Sequence, residues 1–387
     1  MASIIEKDKN YVANTYARYP IEIISGKGSI AIDSNGKEYI DLGTGIGVNA
    51  FGYCDDIWIK AVTEQLNKVQ HTSNLYYTNP CSSLAELLCS RTGMKKVFFA
   101  NSGAEANECA IKIARKYAQE TKGEQFYEII TLNNSFHGRT LTTLSATGQE
   151  HFHKLFNPLT KGFVHADAND IKGVEQIIKE RNICAVMIEC IQGEGGVMPL
   201  DKNFATSLQK LCNEKDILLI VDEVQTGNGR CGALYSYMNF GLTPDIVTTA
   251  KGLGGGLPIG ACMFNQKTQN VLSFGDHGST FGGNPVACAG AISIIERLNQ
   301  KLFDEINQKS QYIFSQLTDC EGIKSVSGQG LMIGIETVKP VKEVVNYCIQ
   351  NGVLPLTAKT KLRLLPPLNI PFKLLEKAIK VIQNACK

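Results

Sequence analysis

The chain has 387 residues, with 39 Lys+Arg against 37 Asp+Glu and a formal charge of +2. That near balance provides no cationic footprint for nucleic acid or an anionic membrane, and 43% hydrophobic with 20% charged residues excludes an extended disordered chain. At about 150 residues per domain the length allows two or three domains, each able to bury a core without disulfide or metal staples.

Thirteen cysteines form an odd set with no C-x-x-C spacing, which argues against a disulfide framework or a zinc ribbon and for reduced, mostly buried thiols. Glu6, Lys7, Asp8 and Lys9 interrupt any signal-peptide run in the first twenty residues. The longest uncharged apolar-leaning stretch, 253–264, is too short and Gly-rich to cross a membrane. A soluble cytoplasmic protein is expected.

In chain order, segments 29–33 and 37–41 flank Ser34-Asn35-Gly36, a hairpin signal. They belong to an N-terminal segment, 1–43. Short apolar runs at 97–100, 128–132, 184–189, 217–222, 246–250 and 259–264 read as buried strands. Helical patterns at 104–120, 171–181 and 201–215 lie between several of them. Strands apolar on both faces and alternating with helices predict an α/β fold with a mostly parallel central sheet. This large domain spans 44–283. Asn284-Pro285 opens a helix predicted from Val286 to about Lys301. The remainder, 284–387, reads as a smaller α+β unit with strands at 332–336 and 361–365 and a last helix at 373–385.

Ligands of parallel sheets gather where the strands end, so the residues after each strand matter most. Asn101-Ser102-Gly103-Ala104-Glu105-Ala106-Asn107 opens a helix with free N–H groups, a phosphate cradle or a plain N-cap at Ser102. Asn134-Ser135-Phe136-His137-Gly138-Arg139 places an aromatic that can stack on a flat ring beside a guanidinium that can grip a carboxylate. Asp222 closes a buried strand and needs a cationic or protonated partner. Lys251 closes another, before a Gly-rich turn; desolvated, it becomes a nucleophile toward carbonyl carbon, although it can equally snorkel. Gly278-Ser279-Thr280-Phe281-Gly282-Gly283 is a further small, hydroxyl-bearing loop. Together these are the parts that pyridoxal phosphate requires: a phosphate cradle, a stacking ring, a buried acid, a Schiff-base lysine and a carboxylate clamp.

Competing motifs are weaker. Gly227-x-Gly229-x-x-Gly232 matches the dinucleotide fingerprint in letters, but no convincing helix opens there and Asp245 comes too early for the ribose acid. No G-x-x-x-x-G-K-[ST] or G-x-S-x-G occurs. His151 and His153, amid Lys and Glu, fit a surface better than a metal, so no metal site is expected.

With these residues in hand the chain resembles, over nearly its whole length, the class III (fold type I) pyridoxal-phosphate aminotransferases. The resemblance rests on Asn101–Asn107, Phe136–Arg139, Asp222-Glu223-Val224-Gln225-Thr226-Gly227 and Thr249-Ala250-Lys251-Gly252. Asn74-Leu75-Tyr76-Tyr77 and Ile191–Gly196 are most similar to the members acting on acyl-ornithine. The resemblance implies a homodimer that uses pyridoxal 5'-phosphate, acyl-ornithine, 2-oxoglutarate and glutamate. It implies that Lys251 holds the cofactor, Asp222 pairs with the pyridine nitrogen and Gln225 contacts the ring hydroxyl, with Glu223 and Val224 alongside. Ser102, Gly103 and Ala104 would bind the phosphate, with Thr280 from the neighbouring subunit, and Phe136 would stack on the ring. Arg139 and Ser279 would bind the acyl-ornithine, and Arg363 the glutamate α-carboxylate, with Glu194 neutralising Arg363 in its absence. Cys190 stands where the family usually has proline, and Asn228 where it often has methionine or phenylalanine. Ornithine, succinylornithine or 4-aminobutyrate are alternative donors on the same scaffold. A silent cofactor-binding protein is a further reading, against which Lys251 and Asp222 argue.

Overall fold

A computed structural model describes residues 3–387. Seven strands form the central sheet, in the spatial order Lys96–Ala100, Gly260–Phe264, Ile246–Thr249, Leu218–Asp222, Ile183–Ile188, Glu128–Leu132, Phe163–Ala166. Only Gly260–Phe264 runs antiparallel to its neighbours. The sheet is therefore mostly parallel, as the two-faced apolar runs predict. Ile183–Ile188, Leu218–Asp222 and Ile246–Thr249 are buried at every residue. Burying one Ile, Leu or Val side chain stabilises the fold by about 1.5–3 kcal/mol, which is why such runs settle centrally.

Helix Gly103–Lys122 lays Ala106, Ala110, Ile113 and Ala114 over the Ile246–Thr249 and Gly260–Phe264 strands. Its small residues let helix and sheet approach closely. The helices Ile171–Glu180 and Lys202–Glu214 begin at Asp170 and Asp201, whose carboxylates accept backbone N–H groups of the first turn.

The hairpin forms with Ile30–Asp33 and Glu38–Asp41 as its strands. Asp33 accepts the N–H groups of Asn35 and Lys37, both at 2.9 Å, and Gly36 takes φ 78, the left-handed conformation such a turn demands. Val353–Leu354 pairs in parallel with Glu38–Asp41, so the N-terminal hairpin and the C-terminal part of the chain share one sheet.

Two features correct the sequence reading. The single helix predicted from Val286 to about Lys301 is two helices, Pro285–Ile295 and Gln300–Leu317. The break follows from Asn299, which caps the second helix by accepting the Leu302 N–H at 3.1 Å. The C-terminal unit has a four-stranded antiparallel sheet, ordered Ile323–Gln329, Met332–Thr337, Lys361–Leu364, Leu356–Ala358, where only two strands were predicted. Ile323–Gln329 is an edge strand with no fully buried residue, so it lacks an apolar signal.

Nine of the thirteen cysteines are buried, and all are free thiols. Among the described residues, no helix is long and apolar enough to cross a membrane, and no cluster of three or more His, Cys, Asp or Glu is placed to hold a metal. His153 is engaged by the carbonyls of Leu144 and Thr147 at 2.9 and 2.8 Å, and His151 packs on Phe152.

Candidate active site

A cavity of about 640 Å³ opens at the carboxyl ends of the parallel strands. The loops after Lys96–Ala100, Glu128–Leu132, Ile183–Ile188, Leu218–Asp222 and Ile246–Thr249 all reach it. The antiparallel strand contributes from its amino end, through Leu257, Pro258 and Ile259.

Ser102 is the N-cap of helix Gly103–Lys122, and its hydroxyl accepts the Glu105 N–H at 3.2 Å. Glu105 turns back to accept from the backbone and side-chain nitrogens of Asn101, at 2.6 and 2.9 Å. The N–H groups of Gly103 and Ala104 meet no acceptor among the described residues. They line the cavity at the positive end of a 20-residue helix, which suits a phosphate. Gly103 has a steric reason as well: a Cβ there would lie 2.6 Å from Cγ1 of Val224.

Asp222 is 3% exposed and accepts hydrogen bonds at both oxygens. Its Oδ2 accepts from His137 Nδ1 and Asn107 Nδ2, both at 2.8 Å, and its Oδ1 accepts the Val224 N–H at 2.9 Å. The carboxylate is thus aimed by donors from three segments and keeps lone-pair capacity toward the cavity it lines. A pyridinium N–H fits there.

Lys251 follows the Ile246–Thr249 strand with φ 46, in the left-handed region. Burial pushes its ammonium down from the ordinary lysine range; Glu194 opposes that shift and Arg363 adds to it. A lysine so shifted gives up its proton more readily, and once neutral it can attack a carbonyl carbon. Phe136 lines the same cavity.

Arg363 is 3% exposed. Its Nη1 donates to Glu194 Oε1 at 2.5 Å and to Gln225 Oε1 at 2.9 Å, and Gln225 Nε2 donates back to Glu194 at 3.3 Å. Burial alone raises the Glu194 carboxyl, but the Arg363 charge and hydrogen bond hold it below the usual range. Gln225 is thereby committed to the ion pair rather than left facing the cavity alone. Arg139 is exposed at the cavity mouth and approaches the rings of Phe136 and Phe152, with its guanidinium carbon 5.6 and 5.4 Å from their centroids. It makes no ion pair among the described residues.

Four expected site residues lie off the cavity lining: Arg363, which reaches it only through its bonds to Glu194 and Gln225, and Glu223, Ser279 and Thr280. Glu223 is buried with its carboxylate turned to Thr226, Ser236 and the Tyr237 N–H, at 2.6 to 2.7 Å, so it braces the loop behind Asp222. Ser279 accepts from Asn101 Nδ2 at 3.2 Å and from the Gly282 N–H at 3.0 Å. Thr280 is exposed.

Asn107, His137 and Glu189 also line the cavity, although neither the motifs nor the resemblance gives them a part. Glu189 is buried at the cavity, accepting the Phe136 N–H at 3.0 Å and the Gly193 N–H at 3.4 Å. Burial and the nearby Asp222 charge push its carboxyl up, to about 7, against the pull of His137. The signal was present: like Asp222, it is a carboxylate ending a fully buried strand.

Fold and site together define a pyridoxal-phosphate enzyme of the α/β, fold type I kind. The chain matches the family Aminotransferase class-III over residues 11–386, and it belongs to the class III aminotransferases. It is 50% identical to the acetylornithine aminotransferase of Haemophilus ducreyi, covering 98% of this chain and 97% of the relative. It is 44% identical to that of Aquifex aeolicus, covering 97% and 99%. Among solved structures it is similar to an ornithine aminotransferase from Toxoplasma gondii, with TM-score 0.94, 33% identity and coverage of 98% and 93%. An N-acetylornithine aminotransferase from Stenotrophomonas maltophilia superposes with TM-score 0.85, 33% identity and coverage of 99% and 98%.

Proposed function

We propose that this enzyme transfers the side-chain amino group of N2-acetyl-L-ornithine to 2-oxoglutarate, giving N-acetyl-L-glutamate 5-semialdehyde and L-glutamate, a step of arginine biosynthesis. The observation that carries the reading is the Arg363–Glu194 pair, 2.5 Å apart, with Lys251 and Asp222 nearby and the unpaired Arg139 at the cavity mouth. Glutamate presents a carboxylate beside its reacting carbon, whereas acetylornithine reacts at the far end of its chain. A bare buried guanidinium beside that carbon would suit the first and cost several kcal/mol against the second. Glu194 covers Arg363 for acetylornithine and releases it for glutamate, while Arg139 takes the distal carboxylate of either. The acetylornithine aminotransferases at 50% and 44% identity support the choice of donor.

In this reading Lys251 Nζ holds the cofactor and then moves the proton, and Asp222 keeps the ring nitrogen protonated. Gly103, Ala104 and Ser102 hold the phosphate, joined by Thr280 of the neighbouring subunit in a homodimer, while Phe136 covers the ring. Val224 packs beneath Gly103, Gln225 borders the ring hydroxyl, and Ser279 contacts the donor. Pyridoxal phosphate, when bound, supplies an aldehyde carbon for the amine and an aromatic ring that accepts an electron pair. The enzyme acts in the cytoplasm.

Two measurements test the proposal. Borohydride reduction of the holoenzyme should mark Lys251, and Lys251→Ala should abolish both the mark and turnover. Across a panel of donors with 2-oxoglutarate, kcat/KM should be highest for acetylornithine. A higher value for ornithine, succinylornithine or 4-aminobutyrate would overturn the assigned donor.

A further inference from the structure

Lys251 occupies an unusual piece of backbone. Ala250 before it has φ −165 and ψ −143, and Lys251 itself takes φ 46. A residue with a side chain holds the left-handed conformation only where its surroundings enforce it. Gly252 follows, with no side chain to contribute.

Asn228 is the side chain that reaches this turn. It is 2% exposed, and its Nδ2 donates to Thr249 Oγ1 at 2.9 Å and to the Ala250 carbonyl at 3.1 Å. Both amide hydrogens are therefore spent on the two residues before Lys251. Among the described residues its buried Oδ1 has no partner, so the side chain is not oriented by an acceptor role of its own. Asn228 is itself left-handed at φ 56, a conformation asparagine tolerates better than most residues. A Cβ on Gly252 would approach Asn228 Cβ to 3.3 Å, which brings the two loops into direct contact. Asn228 also sits six residues after Asp222, in the loop that carries Gln225. One carboxamide thus ties the Asp222 loop to the Lys251 loop.

We propose that Asn228 is a positioning residue that fixes the Ala250 carbonyl and thereby the left-handed turn that aims Lys251 into the cavity. The inference rests on the reading of Lys251 as the cofactor-bearing lysine. In this chain hydrogen bonds, rather than apolar packing of the side chain, tie that loop to the turn.

The groups facing Lys251 are Glu194, Asp222, Glu189 and Arg363. A lysine released from its turn can move toward those carboxylates or toward the mouth, and both motions favour its ammonium form. The test uses cofactor-free protein, acetic anhydride over a pH series, and peptide mass spectrometry of Lys251. Asn228→Met and Asn228→Gly both remove the donated bonds; the glycine keeps the left-handed backbone accessible. In each, the midpoint for Lys251 acetylation should rise by about one unit, making labelling at neutral pH about tenfold slower. Capture of added pyridoxal phosphate should slow in parallel. Unchanged midpoints in a folded variant would overturn the proposal. Failure of both variants to fold overturns it as well, since Asn228 would then be structural. Borohydride marking of another lysine in the wild-type holoenzyme overturns the site reading itself, whereas marking at Lys251 with unchanged midpoints overturns only the role of Asn228.

Discussion

His137 Nδ1 lies 2.8 Å from Oδ2 of Asp222, and both side chains are shielded from solvent. Asn107 donates to the same oxygen, so the acid is held from the helix after one strand and the loop after another. A hydrogen bond to a charged group contributes about 1.5–3 kcal/mol. We therefore expect Asp222→Ala to bind cofactor poorly and lose about 10³-fold in turnover. His137→Leu should lose about 10- to 100-fold, with weaker cofactor binding, because the carboxylate survives without its guide. Turnover and cofactor titration on folded variants measure both; near-normal turnover in Asp222→Ala would exclude its role.

The Arg363–Glu194 pair predicts opposite changes in the two half-reactions. Arg363→Ala should slow the glutamate half-reaction more than the acetylornithine half. Glu194→Ala leaves Arg363 bare, and should favour glutamate and disfavour acetylornithine. Arg139→Ala should harm both. Single-turnover measurement of each half separates them, since steady-state rates mix the two. Equal slowing of both halves in Glu194→Ala would reduce that residue to a structural part.

Glu189 predicts a pH dependence of stability in the cofactor-free protein. Its folded carboxyl is pushed up to about 7, above its unfolded value, chiefly by burial. Between the unfolded value and about 7 the folded state binds more protons, so stability falls as pH rises through that window. Glu189→Gln cannot ionise and should flatten this part of the curve. Denaturant midpoints from pH 4.5 to 7.5 show whether the slope disappears; an unchanged slope would place the ionisation elsewhere.

Gly103 offers a steric test. An added Cβ would stand 2.6 and 2.8 Å from the two methyl carbons of Val224, a stiff β-branched side chain. Gly103→Ala should cost about 1–3 kcal/mol through overpacking and weaken cofactor affinity. Gly103→Ala combined with Val224→Ala should recover much of that loss. Calorimetry of the single and double variants gives the coupling.

The core and the addresses of the chemistry are legible in the order of residues alone. Runs such as Ile183–Ile188 are apolar on both faces, and only a sheet covered on both sides buries them. Once those strands are placed, Asp222, Lys251 and the Ser102–Ala104 turn must emerge together at their carboxyl ends. Weakly patterned elements escaped. Phe163–Ala166 and Ile323–Gln329 are edge strands whose partial exposure leaves little apolar signal, and the turn capped by Asn299 hides inside a helical pattern. The Arg363–Glu194 partnership came from resemblance, not from any spacing.

Which side chains meet is set by the packed fold. Asn107 and His137 reach Asp222 from 115 and 85 residues away, and Glu194 meets Arg363 across 169. It also turned Glu223 inward, committed Gln225 to Arg363, and placed Asn228 against the Ala250 carbonyl. Periodicity and turn chemistry are local, summed over neighbours along the chain. A buried polar group needs a partner wherever the packed fold can supply one, and that search is settled in three dimensions.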